Sequence, residues 1–583
     1  MVYVLGFVLA WSGIVLIPKT KMINAVAALM QGYVSVMCIG ALGALVLSVL
    51  SFDITVSSIS VVYFVAAMMF WGYIFYKKSI QKLQFRKSDL IGIVVGMIVV
   101  CAVAIRIFTI YIYINYNNPV DPSQHFLLAA EIIRTKKIKG MYFTQFHNAM
   151  VMQLIMPFLP KAWNYKAFIL ADCYHTLIEY LFFYGFTLYN MRDLKHNKYL
   201  PILISLLYWL GYPLYSFAGG GYIYWAMGAM LVFYVFWSLK IYNDAVDKLN
   251  KRFFMALVLL GCYGVTMCYI QFAPLVVIIS LAIWLRHTGI KRNIIGKKLL
   301  IQLLAFVIGT LILAVIGYYF VFYNNGIRIF EALSMGNNTS KNIEMIFVMP
   351  ILYYIIYKEI KEKRFNVYVF SLCMVVIYHV VMILFSAVNV VSSYYLFKNN
   401  FILWGMLFVV FIEKCNSLTD RELGYVKHYA AFVGLFLLFI YMPEREMETY
   451  EPFSIGNSVY RYNAILLKEE NYAGAYIHDR TDMMEYIADH FDAAKNGEKV
   501  ASIESQWGSG VSRWYTGITG QPHFIVHPMD TNDVDNFLRT SGVDYILVYY
   551  NSDTYLAAIE YFESFEKVYD TPEGFICRVP DDY

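Results

Sequence analysis

Charge is what this sequence has least of. Only 15% of its 583 residues are Asp, Glu, Lys or Arg, where a soluble protein carries roughly 25%. Such a chain cannot cover a water-facing surface, and its 60% hydrophobic content points the same way. Disulfide chemistry is also missing. Seven of the eight cysteines (Cys38, Cys101, Cys173, Cys262, Cys268, Cys373, Cys415) lie in or beside apolar runs, and Cys577 falls in a polar C-terminal region. No cysteine framework or metal-type spacing is visible. The opening Met1-Val2-Tyr3-Val4 has no basic segment, so a cleaved signal peptide is not expected. A net charge of +5 gives no reason to expect nucleic acid as a partner. No internal repeat or low-complexity tract is evident.

Long apolar runs are present instead. They recur with the length of about 18 to 25 residues that crosses a bilayer as a helix. About fourteen spans are predicted, near 2–17, 24–50, 56–76, 90–114, 166–190, 199–217, 222–241, 253–269, 271–286, 299–322, 343–357, 366–389, 395–413 and 428–442. Basic residues cluster in alternate loops: Lys77 to Lys87, Arg192 to Lys198, Lys248 to Arg252, Arg286 to Lys298 and Lys358 to Arg364. The positive-inside rule makes that side cytoplasmic. The N-terminus, the 115–165 insert, the 323–342 loop and everything after about 443 are then extracytoplasmic, and the chain is a multi-pass protein of the cell membrane.

Residues 443–583 are a different material. They hold most of the acidic groups and no spanning run. Lys499–Ile503 and Asp544–Tyr549 read as short buried strands, with helices over Asp482–Phe491 and Asp533–Arg539. Phe565–Tyr569 and Phe575–Val579 flank Pro572-Glu573-Gly574, a hairpin turn. This predicts a small α/β domain.

The insert carries the most chemistry. Asp121-Pro122-Ser123-Gln124 is a helix start, with Asp at the N-cap, Pro at N1 and Gln at N3. The helix runs to about Arg134, with Phe126, Ala129, Ala130 and Ile133 on one face, and is expected to lie on the outer membrane surface. Asp121 is a cap, but it is also a rigid carboxylate able to take a proton from an attacking hydroxyl. His125 follows one turn later on the same side. Asp172, His175 and Glu179, at i, i+3, i+7, share one face of the fifth span near the insert. They read first as an interhelical polar cluster and second as an acceptor-binding group. Tyr394-Tyr395-Leu396-Phe397-Lys398-Asn399-Asn400 opens the thirteenth span on the outer side, where Lys398 could hold a phosphate or snorkel to headgroups. Arg328 and Lys341 in the 323–342 loop are weaker candidates of the same kind.

An acid-led first outer loop with an amphipathic helix, many spans and a terminal α/β domain together resemble the GT-C superfamily of membrane glycosyltransferases. So does the closing pattern Gly542-Val543-Asp544-Tyr545-Ile546-Leu547-Val548, Phe565-Glu566-Lys567-Val568-Tyr569 and Phe575-Ile576-Cys577-Arg578-Val579. The resemblance implies N-terminal helices over 1–89, a GT-C-like core over 90–442 containing the 115–165 loop, and an extracytoplasmic domain over 443–583. It implies sugar transfer from a polyprenyl-phosphate donor, usually with inversion, to a cell-envelope lipid, glycan or protein. Asp121 matches the family's base. His125, Asp172 and His175 would bind the acceptor, and Lys398 with Arg328 the donor phosphate. Many members carry Asp-x-Asp or Glu-x-Asp. This loop has a single acid followed by Pro122, which predicts no defined metal site and leaves a divalent ion open. A transporter or flippase, or a polymerase or ligase for lipid-linked glycans, is the alternative. The early insert and large terminal domain suit those less well.

Overall fold

Apolar runs in a bilayer must satisfy their backbone groups internally, which for single segments means helix. A computed structural model of the chain describes residues 1–18, 22–111, 114–115, 120–190, 199–213, 223–245, 248–286, 353–359, 361, 366–387, 394–415, 476–492, 495–503, 508–521, 531–550, 552–572 and 574–581. The helices are α1 (Val2–Leu16), α2 (Ala25–Val49), α3 (Val56–Lys77), α4 (Lys87–Tyr111), α5 (Val120–Thr135), α6 (Phe143–Ile155), α7 (Asn164–Asn190) and α8 (Leu200–Gly211). They continue as α9 (Ile223–Asp244), α10 (Lys248–Cys268), α11 (Ala273–Leu285), α12 (Val367–Ala387) and α13 (Tyr394–Cys415). These follow the predicted spans to within a few residues. The spans expected near 299–322 and 428–442, and most of 343–357, lie outside the described residues. Among the described residues, five segments are long and apolar enough to cross a membrane: Ala25–Val49, Val56–Lys77, Ile223–Asp244, Asn250–Cys268 and Val367–Phe385. The chain is a mostly helical, multi-pass membrane protein.

Exposure agrees with that. Val61, Val65, Met68, Met69, Phe75 and Tyr76 are exposed along α3, as are Ile377, Val380, Val381, Leu384 and Phe385 along α12. In water such stripes would be aggregation surfaces; against lipid they cost nothing. Helix contacts in lipid depend on close packing, and α4 against α7 shows how it is reached. Gly92 and Gly96 leave hollows filled by the rings of Tyr184 and Tyr180, and the Tyr180 hydroxyl donates to the Gly92 carbonyl at 2.9 Å.

The insert folds as two helices, α5 and α6. The expected α5 is present, but it begins at Val120, so Asp121 stands inside its first turn. Its apolar face, with Phe126, Ala129 and Ile132 buried, does not lie bare on a membrane surface. Phe126 stacks on Trp514 at 4.9 Å and meets Phe168 of α7 edge-on at 5.5 Å. Helix α6 is buried from Phe143 to Met150, between α5 and α7.

Two short pairings precede the main sheet: β1 (Ile23–Asn24) runs parallel to β2 (Leu83–Gln84), and β3 (Ile114–Asn115) antiparallel to β4 (Tyr476–Ile477). The C-terminal region then forms β5 (Val500–Ile503), β6 (Tyr545–Tyr549), β7 (Lys567–Thr571) and β8 (Gly574–Arg578) in the order β5-β6-β8-β7. The β5–β6 pair is parallel, and the β6–β8 and β7–β8 pairs are antiparallel. Helices α14 (His478–His490), α15 (Gly508–Thr519) and α16 (Thr531–Ser541) accompany the sheet. Successive strand residues face opposite ways, and β6 is buried on both faces. Ile546 and Val548 join a local core with Val534, Leu538 and Phe562, while Leu547 and Tyr549 join the core that is continuous with the helical bundle.

Candidate active site at the junction of three regions

Several elements hold the C-terminal region against the insert. Helix α15 packs along α5. Gly517 lies so close to the Phe126 ring that a Cβ would sit 2.3 Å from it. The Asn164 side-chain amide donates to the Gly517 carbonyl at 2.8 Å, and Arg134 reaches the Gly520 carbonyl at 3.4 Å. Glu485 of α14 accepts from the Tyr165 hydroxyl at 2.6 Å and the Trp163 indole at 3.2 Å, and pairs with Lys166 at 3.1 Å. A short antiparallel pairing of Ile114–Asn115 with Tyr476–Ile477 ties the start of the insert to the same region.

Next to that seam sits His125. Its ring lies 4.3 Å from Tyr224 of α9, and the Gln145 side-chain amide of α6 donates to its Nδ1. That bond leaves the proton on Nε2, the nitrogen free to act as donor to a ligand. Burial, then the positive charges of Lys398 and Arg513, push the imidazole down to about 3, so it is neutral at physiological pH. Two cations therefore act on one histidine. Lys398, 3% exposed at the start of α13, holds its ammonium 3.8 Å from the Trp225 ring, 5.1 Å from Tyr269 and 6.0 Å from Tyr224. Aromatic faces stabilise the cation and fix its position. The adjacent Asn399 is buried, and neither side-chain polar atom has a hydrogen-bond partner among the described residues.

Asp172 and His175 project from α7 into the bundle, both buried. Asn148 of α6 donates to Asp172 Oδ1 at 3.0 Å, and the His147 ring lies 6.4 Å from that of His175. Neither nitrogen of His175 and neither carboxylate oxygen of Glu179 has a partner among the described residues. No hydrogen bond or ring contact among the described residues joins this cluster to His125. Helix α6 is their shared neighbour: Gln145 serves His125, while His147 and Asn148 face α7. The Asp121 side chain, Arg328 and Lys341 lie outside the described residues. No group of His, Cys, Asp or Glu among the described residues is arranged to hold a metal ion.

No protein-family model and no curated protein matches the chain. Among solved structures it is similar to ArnT from Cupriavidus metallidurans bound to undecaprenyl phosphate. The TM-score is 0.48 and the sequence identity 14%, over 83% of this chain and 98% of that one.

Sequence reasoning missed three members of the site. Gln145 lay in a stretch read only as polar insert. Trp225 lay inside an apolar span, where an aromatic draws no notice. Arg513 belongs to α15, whose Gly508-Ser509-Gly510 start hid the helix. The apolar spacing Trp514, Tyr515, Ile518 was the available signal.

Proposed function

We propose that the protein is an integral-membrane glycosyltransferase that moves a sugar from a polyprenyl-phosphate donor to a cell-envelope acceptor on the outer membrane face. One observation carries this reading. A lysine buried among aromatic rings stands beside a neutral histidine where the insert, the bundle and the C-terminal region meet. A cation held in low dielectric at such a place suits a lipid-borne phosphate.

In this reading an acceptor hydroxyl attacks the anomeric carbon and gives its proton to the Asp121 carboxylate. The bond from that carbon to the phosphate oxygen breaks, and polyprenyl phosphate leaves. Lys398 balances the charge left on the phosphate. His125, donating through Nε2, orients the acceptor, and Asp172 and His175 line its approach. The region after 443 covers the site from the outside.

The test is sugar transfer from a labelled polyprenyl-phosphate sugar in membranes, comparing the wild type with Asp121→Asn. The amide conserves the shape and the helix-start chemistry while removing the base. Transfer by the wild type and a loss of about 10² or more in the variant, at equal protein level, is expected. Equal transfer by both would remove Asp121 from the chemistry. No transfer from a broad panel of donors would favour transport, and a lipid-flipping assay would then decide.

A further inference from the structure

The C-terminal region does more than cover the bundle. Its helix α15 lies along α5, with Trp514 and Gly517 on Phe126 and the following Gly520 beside Arg134. The two helices therefore run in the same sense, so Arg513, just before Trp514, is carried to the His125 end of α5. The field at His125 agrees, since it contains the charges of both Arg513 and Lys398. These residues come from opposite ends of the fold. Lys398 is fixed by Trp225 and Tyr269 of the bundle, and Arg513 by the docking of α15.

We propose that Arg513 and Lys398 together form a two-part anion site beside His125, assembled only when the C-terminal region is seated, and that its ligand is a phosphate monoester or diester. The chemistry of the two side chains is complementary. A guanidinium presents a planar fork that grips two phosphate oxygens, whereas an ammonium is a point charge. His125, neutral under that field, adds no opposing charge beside them. Two cations converging on one region form a receptor for an oxyanion, and desolvation strengthens each contact. This rests on the glycosyltransferase reading only in taking the anion to be the donor's phosphate. The phosphate could also be a free one.

The experiment is binding of farnesyl phosphate, inorganic phosphate and farnesol to the purified full-length protein in lipid nanodiscs. Wild type, Lys398→Gln, Arg513→Gln and Arg513→Lys are compared, with protease resistance of the C-terminal region as the check on docking. Arg513→Gln is expected to weaken farnesyl phosphate about tenfold with docking intact. Arg513→Lys should recover part of that, and Lys398→Gln should lose at least as much. Tighter binding of farnesyl phosphate than of inorganic phosphate assigns the site to a lipid, and equal binding assigns it to free phosphate; both support it. Farnesol binding as tightly as farnesyl phosphate would overturn it. So would Arg513→Gln binding within twofold of the wild type while Lys398→Gln loses affinity. The two readings fail separately. Arg513-dependent phosphate binding without sugar transfer from any donor would sink the glycosyltransferase and keep the site. Sugar transfer with an unchanged donor KM in Arg513→Gln would do the reverse.

Discussion

Two polar clusters among the described residues are built in opposite ways. Asp172, His175 and Glu179 come from one helix and share one face by spacing alone. Neighbouring α6 adds His147 and Asn148. The Lys398–His125 cluster draws on α5, α6, α9, α13 and α15, which are scattered from residue 120 to 519. The difference teaches where function can be read early. A one-helix cluster is legible as periodicity, yet several of its atoms have no partner among the described residues. A many-helix cluster is invisible in sequence, yet its groups are held by rings and hydrogen bonds.

The sharpest way to break this contrast is Lys398→Gln. It should lower sugar transfer by about 10² while leaving thermal stability in detergent close to that of the wild type. Asp172→Asn should do less, because the bond to Asn148 survives as an amide pair. A rise in acceptor KM of about tenfold, with donor KM unchanged, is expected in steady-state kinetics. If Asp172→Asn matched Lys398→Gln in transfer, the one-helix cluster would be the catalytic one.

Two substitutions sharpen the structural side. Gly96→Ala would drive a methyl to 1.8 Å from the Tyr180 ring. Overpacking of this kind costs about 1–3 kcal/mol, and a lowered unfolding temperature should report it. Glu485→Ala removes the acceptor for Tyr165 and Trp163 and the partner of Lys166. A loss of about 1–3 kcal/mol should appear as faster proteolysis of the C-terminal region with the helical bundle intact.

The smallest expected effect is a null one. His125 is held near 3 against its usual 6.5. The unfolded chain takes up this proton as pH falls through 6.5 and the folded protein only near 3. Stability supplied at this position is therefore complete above 6.5 and is lost progressively toward 3. His125 should contribute no inflection to transfer rates between pH 7 and 9. An inflection in that window that disappears in His125→Gln would show that the imidazole titrates in the working site.

The helices of the bundle were readable from hydropathy because a bilayer leaves the backbone no other choice. Strands β5 to β8 were readable because alternation and a Pro-Glu-Gly turn are local signals. Helix α5 was readable from its start chemistry, but its neighbour was not: the sequence suggested a membrane surface, and α15 lies there instead. Both can cover an apolar stripe, and amphipathic spacing cannot tell lipid from protein. Helix α6 escaped because burial on all sides leaves no polar face to set a period.

Sequence alone determined that this chain enters a membrane many times, that it carries a short α/β region after the bundle, and that Asp121, His125 and Lys398 are chemically conspicuous. These follow from local composition and spacing. Only the tertiary structure decided that His125 and Lys398 are neighbours, that Gln145 sets the histidine's proton, and that Arg513 arrives from the far end of the chain. Such contacts depend on which helices pack together, and packing is settled by the shapes of buried faces.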